Sequence, residues 1–387
     1  SVIKAIRATE YASHWIAIAL DTEHITKERI GALRGLGAMR ELPEGQVKQL
    51  LPLLDDTNAT VKKQAAETLA AFGDDSVLSA VAATCHPSQD EFEPYPADDC
   101  IEKIVNFAPS SKERVASILL QFLSSKNPYT LYEAITGLGL IQYKAAIPAI
   151  EEKLDTSDFR VFYAAVRSLS WLKATSSVEK LRKASDRIWL PELKRYSNDA
   201  AERLLAGNEL PLPIPRQYGF SAPDEYGLAF FFWPYTLHAT PPSCPTQMWT
   251  WLGKTFLKPK DRALRVVLEE GILTGADNGE WGGALEWQPN ISQKKEIVRK
   301  FNVAGLTKSS HGAIVASGLN HMTSRGDLAR FERNSSGQYQ LTKIAEVLDA
   351  PSALAAIGDD LFVAWSADWP IVFDRSEIKG VAACKQD

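Results

Sequence analysis

Residues 60–73 read TVKKQAAETLAAFG. Val61, Ala65 and Leu69 fall four residues apart, which places them on one face of a helix, and Ala66 widens that apolar stripe. Lys62, Lys63 and Glu67 take the wet side. A side chain as short as Ala65 lets a second helix approach closely, while Leu69 fills the space beside it. If this helix is one member of a stack, the Ala-x-x-x-Leu pair should return at regular distance. It returns as Ala32 with Leu36, Ala134 with Leu138, Ala165 with Leu169 and Ala200 with Leu204, and more loosely as Cys100 with Ile104. Successive anchors are 33, 35, 34, 31 and 35 residues apart, the length of a two-helix repeat.

The first helix of each unit is legible in residues 47–54 (VKQLLPLL), 115–123 (VASILLQFL) and 145–154 (AAIPAIEEKL), and more weakly in 178–184. Between first and second helices stand polar turns, Asp55-Asp56-Thr57-Asn58 and Asp155-Thr156-Ser157-Asp158, whose side chains can accept the free amide hydrogens of the next helix. Residues 145–172, AAIPAIEEKLDTSDFRVFYAAVRSLSWL, resemble a HEAT-like repeat unit of the bacterial type, and residues 46–72 are similar. In that family an Asp-containing turn leads into a Val-Arg helix with paired alanines; Arg160-Val161 and Val61-Lys62 only approximate that order. The resemblance covers about the first 205 residues. It implies a right-handed α-solenoid that binds other macromolecules, and it implies no catalytic residues.

At 387 residues the chain exceeds one hydrophobic core, while 45% hydrophobic and 24% charged residues are ordinary for a globular protein. The formal net charge of −5 and the lack of a basic run argue against a nucleic-acid partner. A second HEAT-like family binds damaged DNA with Trp, Asp and basic residues, and Trp171 and Trp189 bring it to mind, but the acidic balance disfavours it. No apolar run is long enough to span a bilayer, and Arg7, Glu10 and His14 make the first twenty residues unlike a signal peptide. Cys85, Cys100, Cys244 and Cys384 lack metal-binding spacing. Two fall in each half, so they are either buried free thiols or one disulfide per half. The compartment is left open, cytoplasmic being favoured and export being possible if the cysteines pair.

Residues 86–99, HPSQDEFEPYPADD, interrupt the array where a short turn would suffice. Prolines 87, 94 and 96 prevent a helix, and the acids keep the stretch in water. Phe92, Glu93 and Tyr95 are therefore candidate partner contacts, the alternative being a solvated insertion.

Helical periodicity ends at residues 207–217, GNELPLPIPRQ, which reads as a linker between an α-solenoid of residues 1–206 and a β-rich domain of 218–387. Seven tryptophans lie beyond residue 230. Residues 226–257 read as irregular loop with one short helix. From residue 263 onward short strands alternate with glycine turns, at 265–268, 271–274, 283–287, 312–317, 327–332, 339–346, 353–357, 361–364 and 370–373. Ile272, Ile314 and Phe362 lie 42 and 48 residues apart, the spacing of propeller blades. The expected fold class is multidomain α + β, a solenoid followed by an incomplete propeller-like or sandwich domain.

Asp277-Asn278-Gly279-Glu280-Trp281-Gly282-Gly283 is the one constellation suggestive of a site. Two carboxylates at i and i+3 could share acid and base roles or hold a cation, yet the glycines suit a wide turn needing positive φ. His311 and His321 with Asp277 make an unconvincing metal set, and Ser309-Ser310-His311 is no nucleophile motif. Trp249, Trp251, Trp281 and Trp287 either line a ligand pocket or form core. No cofactor, metal or catalytic residue is assigned. The expectation is a non-enzymatic scaffold or inhibitor, an immunity-type protein being one form, that meets a protein partner through Phe92, Glu93, Tyr95, Asp277, Glu280 and Trp281. The alternative is an enzyme or ligand-binding protein with its site in the β-rich half, near Asp277, Glu280 and His311.

Overall fold

The computed structural model describes residues 9–39, 42, 45–86, 89–92, 100–210, 228–231, 236–239, 248–251, 253–257, 262–290, 294–319, 325–366 and 369–384. Residues 211–217 of the expected linker lie outside this set. The chain divides into two compact units, Ser1–Lys153 with Arg167–Ala174, and Leu154–Val166 with Thr175–Asp387.

In the first unit the helices are α1 (Thr9–Leu20), α2 (Thr26–Met39), a 3₁₀ stretch Val47–Asp55, α3 (Ala59–Phe72), α4 (Asp75–Ala83), α5 (Cys100–Val105), α6 (Ala108–Phe122), α7 (Pro128–Leu140) and α8 (Ile147–Glu152). Helix α9 (Phe159–Trp171) is shared with the second unit, which adds α10 (Val178–Ser185) and α11 (Pro191–Leu205). Every anchor pair is buried, from Ala32 and Leu36 to Ala200 and Leu204, with Cys100 and Ile104 among them. Pro52, which has no amide hydrogen to donate, sits inside the stretch that is 3₁₀ rather than α. The helix α4 was not foreseen.

The anchors organise the ends of their helices too. Asn58, Asn127 and Asp158 each stand seven residues before an anchor, and each side chain accepts two amide hydrogens of its helix, from Thr60 and Val61, Tyr129 and Thr130, and Arg160 and Val161. This satisfies donors that the helix itself leaves unpaired. Eight residues after the anchor the backbone turns left-handed, at Gly73 (φ 62°), Gln142 (φ 55°) and Lys173 (φ 55°). Tyr143 and Ala174 then donate back to the carbonyls of Leu138 and Leu169, closing the helix ends.

Adjacent units are pinned by one recurring bond. The hydroxyl three residues past an anchor donates to the carbonyl one past the preceding anchor: Thr68 Oγ1 to Leu33 O at 3.1 Å, and Ser168 Oγ to Ile135 O at 2.9 Å. Gly139 lets Ser168 come this close, since a Cβ there would lie 2.6 Å from its Oγ. Cys85 and Cys100, 15 residues apart, form a disulfide that closes the acidic stretch into a ring. Cys244 lies outside the described residues.

In the second unit three four-stranded antiparallel sheets follow in chain order, each built from consecutive strands. Strands β1 (Leu228–Phe231) and β2 (Thr236–Ala239) form a hairpin; β3 (Met248–Trp251) and β4 (Lys254–Leu257) form a sheet with β17 (Ala383–Cys384). The sheets are β5 (Arg265–Leu268), β6 (Gly271–Gly275), β7 (Leu285–Pro289) and β8 (Glu296–Arg299); β9 (Val303–Ser309), β10 (Gly312–Leu319), β11 (Arg325–Arg333) and β12 (Tyr339–Val347); and β13 (Pro351–Ala356), β14 (Phe362–Ser366), β15 (Trp369–Phe373) and β16 (Ile378–Val381). The irregular loop expected over 226–257 is thus corrected to two strand pairs. Strand β3 takes its second partner from β17, more than a hundred residues on, so no local pattern announces it. Trp249 packs with Ala353, Val363, Trp365, Val372 and Ala382, and Trp287 packs at a tilt against Phe331 and Tyr339, so these tryptophans are core.

Candidate functional site

The loop from β6 to β7 carries the expected constellation and is held rigidly. Ala276 N donates to Ala284 O at 2.8 Å to close its base, and Val303 N donates to Ala276 O at 3.0 Å. Asp277 uses both oxygens: Oδ1 accepts Gly279 N at 3.1 Å and Oδ2 pairs with Arg262 Nη1 at 2.6 Å. The buried Asn302 clamps the loop from β8–β9, its Oδ1 accepting Asn278 N at 3.3 Å and its Nδ2 donating to Gly279 O at 2.7 Å. Gly279 and Gly282 have φ of 60° and 79°, the positive values the turn requires. Gly283 packs so tightly that a Cβ would lie 2.2 Å from Ala276 O.

This scaffold leaves Trp281 at the tip, 93% exposed, beside the exposed Glu280. An indole in water forfeits a large burial gain, and a restrained loop has little conformational entropy left to lose on binding. Asp277 is committed to Arg262 and to its own turn.

The other expected residues lie elsewhere. Phe92 is 7% exposed, so its ring is inserted rather than displayed. Glu93, Tyr95 and His321 lie outside the described residues. His311 sits in the β9–β10 turn, where its Nδ1 is 2.5 Å from Ser310 Oγ. Ser310 Oγ and N both reach Asp360, at 2.5 and 3.1 Å. The Ser310 hydroxyl and amide, with Arg375 beyond, hold the Asp360 carboxyl below its ordinary range against the opposing effect of burial. Here the carboxylate bonds the serine rather than orienting the histidine, so the order needed for a nucleophilic triad is absent and the group ties two turns together. Beside it a cleft of about 410 Å³ is lined by Arg330, Glu332, Arg333, Gln340 and Thr342 with Asn334 and Ser335. Part of its lining is already bonded: Arg375 is bidentate to Glu332, and Asn334 reaches Gln340. Among the described residues no group of three or more His, Cys, Asp or Glu side chains could hold a metal.

One charged cluster escaped the sequence reading. Arg160, at the start of α9, pairs with Glu346 of β12 at 2.5 Å; Lys343 bridges Glu346 at 3.1 Å and Asp327 at 2.7 Å; Arg325 pairs with Asp327 at 2.8 Å. Burial alone would raise the Glu346 carboxyl, but the charges of Arg160, Arg325 and Lys343 outweigh it and hold the group well below its ordinary range. The available signal was charge inside otherwise apolar strands, in GDLARFER and TKIAEV.

A model of HEAT repeats matches residues 116–193. No curated protein matches the chain. Solved structures similar to it include human deoxyhypusine hydroxylase in complex with glycerol (16% identity, 54% of this chain and 100% of that one, TM-score 0.26). A designed armadillo repeat protein (17%, 50% and 99%, 0.30) and the CpcE and CpcF complex of phycocyanin lyase from Nostoc sp. PCC7120 (16%, 51% and 81%, 0.30) are also similar. The repeated anchors, caps and inter-unit hydroxyls establish a helical repeat region, similar to HEAT repeats over residues 116–193, followed by a β-rich region.

Proposed function

We propose that this chain is a non-enzymatic protein-binding scaffold or inhibitor, with Trp281 as the anchor it inserts into a pocket of its partner. The observation that carries this is the 93% exposure of an indole on a loop clamped by Asn302 and Asp277. Exposed, preorganised tryptophans are the side chains that most often dominate interface energetics. Glu280 lies beside it and would favour a partner with a basic group near the pocket, and the net charge of −5 favours a protein over nucleic acid. Neutralisation of a partner, in the manner of an immunity protein, is the form we favour. A division into residues 1–206 and 218–387 joined by a proline-rich linker is part of the same proposal. So is a propeller-like arrangement of the β-rich part, supported by three consecutive four-stranded sheets and by β17 returning to β3.

The test is affinity purification from the native source with the parent chain and with Trp281→Ala. Partners recovered by the parent should be lost with the variant. Equal recovery by both would remove Trp281 from the interface.

A further inference from the structure

Strand register places four of the residues that line the cleft of about 410 Å³. Arg330 of β11 lies opposite Thr342 of β12 and Glu332 lies opposite Gln340, so all four share one face of the β9–β12 sheet. Phe331, between the two charged residues, turns the other way and is buried. Both rims are fixed. In the turn from β15 to β16, Asp374 Oδ1 accepts the amides of Ser376 and Glu377 at 2.7 and 3.0 Å. That turn carries Arg375, whose Nε and Nη2 donate to Glu332 at 2.5 and 2.8 Å. In the turn from β11 to β12, Asn334 Oδ1 accepts the amides of Ser336 and Gln338, each at 3.0 Å. The walls are therefore set before a ligand arrives.

Hydrogen bonds inside the cleft run in one direction. Asn334 Nδ2 donates to Gln340 Oε1 at 3.2 Å, and Gln340 Nε2 donates to Thr342 Oγ1 at 3.3 Å. Thr342 thus accepts from the chain and keeps its own hydrogen, which it gives to no group among the described residues. Opposite it, Arg330 Nη1 donates to Arg375 O at 2.7 Å, while Arg330 Nε stands 3.9 Å from Glu332 Oε2, beyond hydrogen-bond reach. The Glu332 carboxylate is already held by both arms of Arg375, and Arg333 is paired with Glu270. What the network leaves over is donors: the rest of the Arg330 fork and the hydroxyls of Thr342 and Ser335. A guanidinium fork beside a hydroxyl donor suits an anionic oxygen. Every lining residue is polar, which excludes an apolar ligand, and the volume falls in the range of small-molecule sites.

We propose that this cleft binds a small hydroxylated oxyanion, a sugar phosphate or sugar carboxylate, with its anionic group between Arg330 and Thr342 and its hydroxyls toward Ser335, Asn334 and Gln340. The site is separate from Trp281 and does not rest on the function proposed above.

The experiment is ligand-observed NMR of the full chain titrated with glucose 6-phosphate, glucuronate and glucose. At least one of the two anions should bind saturably, with a Kd at or below about 1 mM, and uncharged glucose at least about tenfold more weakly. Arg330→Gln should weaken anion binding about tenfold or more and Thr342→Val about threefold or more, in proteins whose near-UV circular dichroism matches the parent. Trp281→Ala should leave it unchanged. The valine variant keeps a β-branched side chain on the strand and removes only the hydroxyl, so its result does not depend on the bond from Arg330 to Arg375. The absence of binding by either anion up to about 10 mM would overturn the proposal. So would anion binding that either cleft variant leaves unchanged, or glucose bound as tightly as the anions.

Discussion

Arg160→Met should destabilise the second unit by about 3 kcal/mol. The Arg160 side chain is 3% exposed and its partner Glu346 1%, so the substitution strands a carboxylate that water cannot reach. Breaking a buried pair from one side costs roughly 3–5 kcal/mol. The lower end applies because Lys343 stays 3.1 Å from the orphaned carboxylate and Arg325 3.9 Å. For a unit of this size the loss corresponds to a fall in Tm of roughly 6–12 °C. Removing both charges, as Arg160→Met with Glu346→Leu, should recover most of it, a coupling of at least about 2 kcal/mol, because Lys343 and Arg325 keep Asp327 as partner. Urea unfolding of the parent, both singles and the double closes the cycle. Additive losses would refute the reasoning, because a cluster whose members do not feel one another is not held by their charges.

Acid should weaken the same cluster. The Glu346 carboxyl is depressed in the folded chain, so its contribution is fully present above the unfolded pKa and is lost as pH falls through the folded one; Glu346→Gln should flatten the fall in urea midpoint between pH 6 and pH 3. Asp374, held down to about 2 by Lys379 and by the hydroxyl and amide of Ser376 despite its burial, should add to that slope, and Asp374→Asn should reduce it. Ala65→Trp forces an indole into a fully buried anchor slot and should cost about 3 kcal/mol or more; a variant melting with the parent would mean that the helix does not stack. Lys173→Gly should raise stability by about 0.5–1 kcal/mol, because lysine at φ 55° bears a steric penalty that glycine lacks, and a lower midpoint would contradict that account.

What the sequence disclosed and what it withheld follow from the range of each interaction. Anchor pairs and the caps at Asn58 and Asp158 were legible because both depend on residues within one or two turns. The left-handed ends at Gln142 and Lys173 were not, since neither residue announces a helix stop as Gly73 does. Strands with alternating burial, such as β5 and β6, stood out; β9, buried along most of its length, showed no alternation and was missed. The glycine loop at 277–283 drew notice for its composition. That Trp281 is displayed, while Trp249 and Trp365 are buried, is set by strands far away in the chain.

The return of β17 to β3 also sets a clock on biosynthesis. Roughly 130 residues separate Thr250 from Ala383, so on a ribosome adding about 5–20 residues per second the edge of β3 waits on the order of ten seconds for its partner. During that interval the free edge of β3, the strand bearing Trp249, is open to neighbouring nascent chains. Crowded expression should therefore trap this protein at the translating stage rather than after release, and slowing initiation, by spacing ribosomes apart on the message, should raise the soluble yield.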